Sequence, residues 1–387
     1  MIADREWVRR NIGFDPIERS APVSTFSFTP AAGPASTVED LQREIVDFDS
    51  ESPAGREFFA LSTATGLSQF TDIPWPEGLA PQTGPEPAGT SSDPLPGADV
   101  LVVTWTVDEG HALSRVLTPG KDSQNDYLSY THNFETISSK MQAGCPALEA
   151  QRLGAYWTTT IGSKRAVVFK SESHLSQDTK ELPAQCETLP NYDVWQQIID
   201  EVQPALVITT GTAGGIGTWG EVGDVVVSSV VRFDCINWLK GAPCHDAVYA
   251  NSAPTNTFFP AAETLFAANA AQLPQDNTRP PTIVQSDDPA SSVVTTDFFG
   301  FDTSDNYYGL QGLGDVSDMG DAVLGLVCSQ MATPPRWVAV RNVSDPQIKA
   351  EGTLEEQAAL AKYIYKAFGR WSSVCSAIVC WALIAAE

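Results

Sequence analysis

Basic residues, charged residues in general and long apolar runs are all scarce in this sequence. Lys and Arg number 23 against 48 Asp and Glu, which gives a formal net charge of −25, and only 18% of the residues are charged. A polyanion of this size is repelled by nucleic-acid phosphates and by anionic lipid. We therefore expect no nucleic-acid partner and no membrane-surface partner, and favour a protein that acts on a small molecule.

Neither end of the chain carries an evident targeting or membrane segment. Residues 1–15 have scattered charges and lack the apolar core of a signal peptide. The apolar run at 371–387 is shorter than the roughly 20 residues that a membrane span requires. We expect it to be a buried or oligomer-facing final helix, without membrane association.

The seven cysteines form no CxxC pair and no Cys/His spacing typical of a metal site. Cys235 and Cys244 stand near His245, but nothing in their spacing demands a metal ion. An odd number of cysteines without a secretion signal predicts reduced thiols and a cytoplasmic location. No metal and no other cofactor is expected.

The chain divides into an N-terminal extension and one main domain. A Pro-, Gly- and Ser-rich run at 74–97 cannot form the interior of a regular element. We predict that residues 1–97 wrap the main domain, with short helices near 37–46 and 54–62. The compact domain is expected over residues 98–387.

After residue 98, apolar β-branched runs alternate with helical patterns. This order predicts a three-layer α/β/α sandwich around a central twisted mixed sheet. The polar and aromatic-rich residues 118–160 are predicted to form a long insertion between the first two strands. The predicted strands are 98–105, 165–171, 205–211, 224–233 and 337–344, and the predicted helices are 191–204, 261–272, 321–331 and 354–368.

Residues 207–217, VITTGTAGGIG, contain the Thr-Gly-x-x-x-Gly-x-Gly pattern of a dinucleotide-binding loop. Such a loop needs a helix directly after the glycines, because the helix N-terminus faces the pyrophosphate. Here a further turn and a β-branched strand follow instead. The pattern therefore favours a glycine-rich loop that serves a different ligand.

With its surroundings, this loop resembles the nucleoside phosphorylase and nucleosidase superfamily, which includes purine nucleoside phosphorylases and methylthioadenosine/S-adenosylhomocysteine nucleosidases. Gly-Thr-Ala-Gly-Gly at 211–215 precedes Glu-Val-Gly-Asp-Val-Val-Val at 221–227, in the family's order. VLVVTWTVDEGHAL at the first strand, VVTTDFFGFD (293–302) and VAVRNVSD (338–345) are similar to further family segments. The resemblance covers roughly residues 98–370, without the 118–160 insertion, and implies a purine-type nucleoside as ligand.

The resemblance also implies roles for individual residues. Asp345 is expected to protonate the leaving base, Glu109 to activate water, and Arg341 to bind that water or keep a carboxylate ionised. General acid help of this kind contributes about 10²–10⁴-fold to a rate. The residues implied in substrate binding are Thr212, Ala213, Gly214, Phe298, Phe299, Met319, Asp321 and Ser344.

Purely structural interpretations exist for most of these residues. Asp345 suits a turn, Glu109 suits the first turn of a helix, and Phe298 and Phe299 suit a core. Arg341 differs, because an arginine within an otherwise buried strand needs an acidic or ligand partner. Their joint occurrence in the family's order favours the functional interpretation.

Water is favoured over phosphate as the attacking group. Phosphorolytic members hold phosphate with arginines, one of which would stand at Thr209 here. Asp108 and Glu109, after the first strand, add negative charge where an anion would bind. We therefore predict a nucleosidase, with a phosphate-dependent phosphorylase and a non-catalytic nucleoside-binding or sensor protein as alternatives.

One position departs from the family. A glutamate usually grips the ribose 2′- and 3′-hydroxyls, and Gly320 stands at its place. Three explanations remain open: a register shift that brings Asp321 to the sugar, an altered sugar, or binding without turnover. Because family members are oligomers, and because the C-terminal helix is apolar, a homo-oligomer is also expected.

Overall fold

The computed structural model describes residues 72–173, 190–235, 244, 246–252, 256–274 and 277–387. The helices predicted near 37–46 and 54–62, and most of the predicted N-terminal extension, lie outside these residues. The described part has thirteen strands: β1 (Gln82–Thr83), β2 (Val100–Thr104), β3 (Leu128–Tyr130), β4 (Gly154–Ile161), β5 (Lys164–Ser171), β6 (Leu206–Gly215), β7 (Val225–Ser228), β8 (Val230–Phe233), β9 (Val248–Ala250), β10 (Ile283–Ser286), β11 (Ser292–Thr295), β12 (Gly314–Asp318) and β13 (Arg336–Asp345). Its α-helices are α1 (Val107–Leu117), α2 (Phe134–Ser138), α3 (Pro146–Ala150), α4 (Pro190–Val202), α5 (Phe259–Phe266), α6 (Asp321–Gln330) and α7 (Leu354–Ala386).

All these strands join one mixed sheet, with β6 at its centre. The main path runs β1-β4-β5-β2-β6-β12-β11-β8-β9, while β13 pairs with both β6 and β7, and β10 pairs with β7. The first half of β6 is parallel to β2 and to β13, and its last two residues pair antiparallel with β12. The carboxyl ends of β2, β6 and β13 therefore meet at one edge.

Helices cover both faces of the sheet. Successive side chains of a strand point to opposite faces, and β2 shows this directly. Leu101 and Val103 belong to one core with residues of α4 and α6, whereas Val100 and Val102 belong to a second core with residues of α1, α5 and α7. The predicted three-layer sandwich with a mixed sheet is confirmed.

The five predicted strands are all present, with two differences in detail. The run predicted at 224–233 is divided into β7 and β8, which pair with different neighbours. Residues 118–160, predicted as an insertion, contribute β3 and most of β4 to the sheet. Since β4 pairs antiparallel with β5 along its whole length, this segment is part of the main architecture.

The last 33 helical residues form one continuous helix, α7, rather than the two helices predicted at 354–368 and 371–387. Thr353 and Glu356 form a reciprocal capping box that fixes its start. The helix is long and apolar enough to span a membrane, but 94% of its most apolar window is buried inside the protein. The apolar side chains of α7 therefore pack into the second core.

A buried polar contact joins α7 to the sheet beside the expected site. Asn342 of β13 donates a hydrogen bond to Ser372 Oγ at 2.7 Å, and Ser376 Oγ donates to Asn342 Oδ1 at 2.8 Å. All three side chains are buried. Because buried polar groups need partners, this contact fixes the register of α7 against the strand that carries Arg341.

The cysteines depart from the expectation of reduced thiols. Cys145, Cys235, Cys328, Cys375 and Cys380 are free and buried, but Cys244 is disulfide-bonded. The predicted cytoplasmic location stays a prediction, and it loses the support of a fully reduced set of cysteines. Among the described residues, no group of three or more His, Cys, Asp or Glu is arranged to hold a metal ion.

Replacing Asn342 with alanine should destabilise the fold. The variant leaves Ser372 and Ser376 facing an apolar side chain, which we expect to lower the free energy of unfolding by about 2–3 kcal/mol. Chemical denaturation followed by circular dichroism measures this loss. Asn125→Ala, at an exposed loop residue, is the control and should stay within about 0.5 kcal/mol; an equal loss in both variants would contradict the tethering role.

Candidate active site

A cavity opens where the carboxyl ends of the parallel strands β2, β6 and β13 meet, the usual ligand position in open α/β sheets. The segment after β2, the glycine loop, the end of β12 and one face of α7 complete its wall. The lining residues are Trp105, Thr106, Glu109, Thr212, Ala213, Gly214, Thr296, Phe299, Gly300, Ser317, Asp318, Met319, Gly320, Arg341, Ser344, Asp345 and Tyr365.

Glu109 is held rigidly in the first turn of α1. Its Oε2 accepts hydrogen bonds from Thr104 Oγ1 at 3.0 Å and from the backbone N–H groups of Trp105 and Thr106 at 3.2 and 2.9 Å. Its Oε1 accepts from the N–H and hydroxyl of Thr212 at 2.8 and 2.6 Å. The side chain thus caps its own helix and also joins that helix to the glycine loop.

These contacts keep the Glu109 carboxylate ionised. Burial by itself raises the pKa of Glu109, but the positive charge of Arg341 and the hydrogen bonds from Thr212 and Thr106 outweigh it, so the pKa lies below its ordinary value. Gly211 makes the approach possible, since a Cβ at this position would lie 2.5 Å from Glu109 Oε1. The glycine loop is therefore shaped around this carboxylate.

Arg341 is buried at the centre of the site and has the acidic partners that the sequence called for. Its Nε donates to Asp321 Oδ2 at 2.8 Å, and its Nη2 contacts both Asp321 Oδ1 and, at 3.1 Å, Asp318 Oδ2. Its Nη1 lies 3.4 Å from the carbonyl oxygen of Thr212. The guanidinium also stacks on the Trp105 ring, 4.9 Å from its centroid.

Asp318 shares this arginine with Asp321, and its own oxygens are occupied. Thr295 Oγ1 donates to Asp318 Oδ1 at 2.6 Å, while the N–H groups of Gly320 and Asp321 donate to Oδ2, both at 2.9 Å. Burial and the neighbouring Asp321 raise the pKa of Asp318 to about 7, in spite of Arg341. Asp318 therefore acts as the structural anchor for the start of α6.

Asp345 lies at the end of β13 in a different electrostatic environment. Its Oδ1 accepts a hydrogen bond from Ser344 Oγ at 2.7 Å, and burial raises its pKa to about 7. A Cβ at Gly214 would lie 3.1 Å from Asp345 Oδ2, so this glycine leaves room for the carboxyl group. Asp345 can hold a proton near neutral pH.

A family model described as the phosphorylase superfamily matches residues 133–377. The chain belongs to the phosphorylase superfamily. The match includes the glycine loop, Arg341 and Asp345. It also includes most of residues 118–160, which lay outside the resemblance found in the sequence itself. It does not reach Glu109, so the place of that residue in the site comes from the structure alone.

Several solved structures are similar to this superfamily member at low identity. The methylthioadenosine/S-adenosylhomocysteine nucleosidase of Neisseria meningitidis is 16% identical with a TM-score of 0.39, covering 73% of this chain and 98% of its own. The Helicobacter pylori enzyme with 5′-methylthioadenosine is 12% identical, TM-score 0.44, covering 74% and 98%. The Helicobacter pylori futalosine hydrolase is 12% identical, TM-score 0.41, covering 73% and 96%. No curated protein matches significantly.

The structure brings most of the predicted site residues to the cavity wall, and two lie elsewhere. Phe298 packs on Tyr308, with ring centroids 5.0 Å apart, in a small separate core. Asp321 faces Arg341 and does not line the cavity, so the register shift considered for the sugar is not seen. The predicted residues that do line it are Glu109, Thr212, Ala213, Gly214, Phe299, Met319, Arg341, Ser344 and Asp345; their catalytic and binding roles stay predictions.

Two aromatic residues in the lining escaped the sequence analysis. Trp105 directly follows the buried strand β2 and stands four residues before Glu109. This position could have indicated that Trp105 lies in the site. Tyr365 lies within α7, where its hydroxyl donates to Thr106 Oγ1 at 3.1 Å. Gly369, one turn further along, leaves room for the Tyr365 ring. A helical pattern alone does not show that one face of α7 closes a cavity.

Asp345→Asn should stabilise the fold in alkaline solution. Because the pKa of Asp345 is raised to about 7, the native state keeps a proton that the unfolded chain has lost, and native stability falls as pH rises between about 4 and 7. The amide of the variant never ionises. We therefore expect the free energy of unfolding of Asp345→Asn to exceed that of the native protein by about 1–3 kcal/mol at pH 8, and this difference should vanish near pH 4. Denaturant unfolding at both pH values measures it.

Asp126→Asn is the matched control for that measurement, because Asp126 is exposed and its carboxylate stays in water in both states. A gain that is equal at pH 8 and pH 4, or one that Asp126→Asn reproduces, would contradict the buried, protonatable state of Asp345.

Proposed function

We propose that the protein is a nucleosidase that hydrolyses the N-glycosidic bond of a purine-type nucleoside. The supporting observation is the pair of buried carboxyl groups on one cavity, whose pKa values are shifted in opposite directions. Glu109 is held ionised and Asp345 is held near protonation. Two carboxyls in contrasting environments are the arrangement that acid–base catalysis at one centre requires.

The proposed step breaks one bond and makes another. A water molecule adds to C1′ of the sugar while the C1′–N9 bond breaks, and the electron pair of that bond leaves with the base. Asp345 delivers its proton to N7 of the purine, which neutralises the departing base. Glu109 takes a proton from the water, so that a free base and a reducing sugar result. Proton exchange with solvent then restores both carboxyls.

The remaining lining residues suit binding rather than proton transfer. Phe299 lines the cavity, and the carbonyl oxygen of the adjacent Gly300 lies beside Gly214, as Asp345 does. The Phe299 ring therefore offers a surface near Asp345 against which a flat base packs. Arg341 keeps Glu109 ionised through its charge. Thr212 orients the Glu109 carboxylate with two hydrogen bonds. This division of labour supports a base at the Asp345 end and a sugar at the Glu109 end.

The charges of the cavity favour water over phosphate. Among the described lining residues, Arg341 is the one cation, beside the three acidic residues Glu109, Asp318 and Asp345. The donors of Arg341 already meet Asp318, Asp321 and the carbonyl oxygen of Thr212. A phosphate dianion placed there would lack a free cation and would face the ionised Glu109 carboxylate, so phosphorolysis is the less supported alternative.

Turnover should fall as the pH rises through about 7, since Asp345 loses the proton that it must deliver. Glu109, whose pKa is lowered, stays ionised throughout the neutral range. The pKa of Asp318 is also raised to about 7, so the Asp345→Asn variant is needed to assign the inflection to Asp345. The pH dependence of kcat/KM for adenosine, inosine, methylthioadenosine and their 2′-deoxy forms measures this profile. A rate that rises through neutral pH would contradict Asp345 as the acid.

Asp345→Asn and Glu109→Gln should each lower kcat by about 10²–10⁴-fold, because each removes one proton-transfer group. The residual activity of Asp345→Asn should also lose the decline above pH 7. Circular dichroism confirms that each variant is folded, and Asp126→Asn is the control that keeps full activity. Unchanged turnover in Asp345→Asn would refute the proposed acid, and nucleoside binding without base release by the native protein would favour the sensor alternative.

A further inference from the structure

Trp105 occupies the space beside Gly320 in the cavity wall. A Cβ at Gly320 would lie 3.1 Å from Trp105 Cζ2, closer than side chains normally pack. The indole is fixed on its other sides by Arg341, at 4.9 Å, and by an edge contact with Trp195, whose ring centroid is 6.1 Å away. The Trp105 ring therefore fills space that a side chain at position 320 would occupy, and the two residues together form an apolar wall.

The carboxylates near this wall are already engaged. Both oxygens of Asp321 accept from Arg341, and Asp318 accepts from Thr295, from two backbone N–H groups and from Arg341. Glu109 accepts five hydrogen bonds. Among the described lining residues, no carboxylate on this side has both oxygens open to a vicinal diol.

The position of the sugar follows from the two ends of the cavity. If the base meets Asp345 and water is held at Glu109, C1′ and C2′ must lie between them. Trp105 lines the cavity close to Glu109, because its backbone N–H donates to Glu109 Oε2 at 3.2 Å. Gly320 lies against the Trp105 ring, and Met319 precedes Gly320 in the same lining. A C2′ hydroxyl that faces the indole ring meets an apolar surface with no hydrogen-bond acceptor, which is unfavourable.

Resting on the proposed hydrolysis of a purine-type nucleoside, we propose that the site selects nucleosides whose sugar lacks the 2′-hydroxyl. The chemistry is consistent with this selection. An electron-withdrawing hydroxyl beside C1′ destabilises the oxocarbenium-like transition state, so a 2′-deoxy sugar needs less help from the protein. A site that cannot pair a hydroxyl disfavours the substrate carrying it by about 10–100-fold.

The first experiment compares kcat/KM for 2′-deoxyadenosine and adenosine in phosphate-free buffer, by quantifying free adenine. The 2′-deoxynucleoside should be cleaved about 10–100-fold more efficiently. Equal efficiency, or a preference for adenosine, overturns the sugar inference and leaves the proposed hydrolysis intact. If neither nucleoside releases adenine, the proposed function fails. Calorimetry then compares the binding of the same two ligands: tighter binding of 2′-deoxyadenosine supports the sugar inference, and tighter or equal binding of adenosine overturns it. Absence of binding overturns both proposals.

A reversal variant tests the residues themselves. Trp105→Ala/Gly320→Glu supplies a carboxylate and removes the ring that would collide with it, and Trp105→Ala alone removes only the ring. We expect the double variant to shift the adenosine-to-deoxyadenosine ratio of kcat/KM at least about tenfold toward adenosine relative to the single variant. Tyr307→Ala, at an exposed aromatic residue outside the cavity, should leave the native ratio unchanged. An identical ratio in the double and single variants overturns the inference.

Discussion

The buried Arg341 guanidinium and its two aspartates are the interaction on which the rest of the site depends. A buried cation without partners is strongly unfavourable, and here Asp321 and Asp318 neutralise it from the start of α6 and the end of β12. The same guanidinium contacts the Thr212 carbonyl of β6 and the Trp105 ring after β2. One side chain therefore fixes four chain segments around one cavity.

The placement of the Arg341 charge also contributes to the difference between the Glu109 and Asp345 carboxyls. Arg341 lowers the pKa of Glu109, which in addition accepts hydrogen bonds from backbone and hydroxyl donors. Asp345 is buried with Ser344 as its hydrogen-bond partner, and its pKa rises to about 7. In water the carboxyls of Asp and Glu have similar pKa values. The different environments of the two side chains shift the pKa of Glu109 down and that of Asp345 up.

Much of the fold was predictable because burial on both faces leaves a strong signal. Continuous runs of Val, Ile and Leu predict central strands, and the strands β2, β6 and β13 coincide with such runs. Arg341 was predictable as a site residue because a charge in such a run needs a partner. The pairing of the end of β6 with β12 was not, since it depends on tertiary contacts that leave no local pattern.

The points that the sequence left open have equally physical origins. Phe298 and Phe299 are adjacent, and only the backbone path decides which ring faces the cavity. Asp321 seemed free to reach a sugar, because its pairing with Arg341 joins residues 20 apart in sequence. Gly320 departs from the family pattern, and the sequence could not show that the Trp105 ring packs against it. Long-range packing decides each of these points.

The proposed hydrolysis is tested most directly by the products formed from a purine nucleoside in rigorously phosphate-free buffer. The proposed mechanism predicts free base and reducing sugar in equal amounts, at a rate that added phosphate does not change. Base release that requires phosphate, with sugar 1-phosphate as the second product, would contradict it.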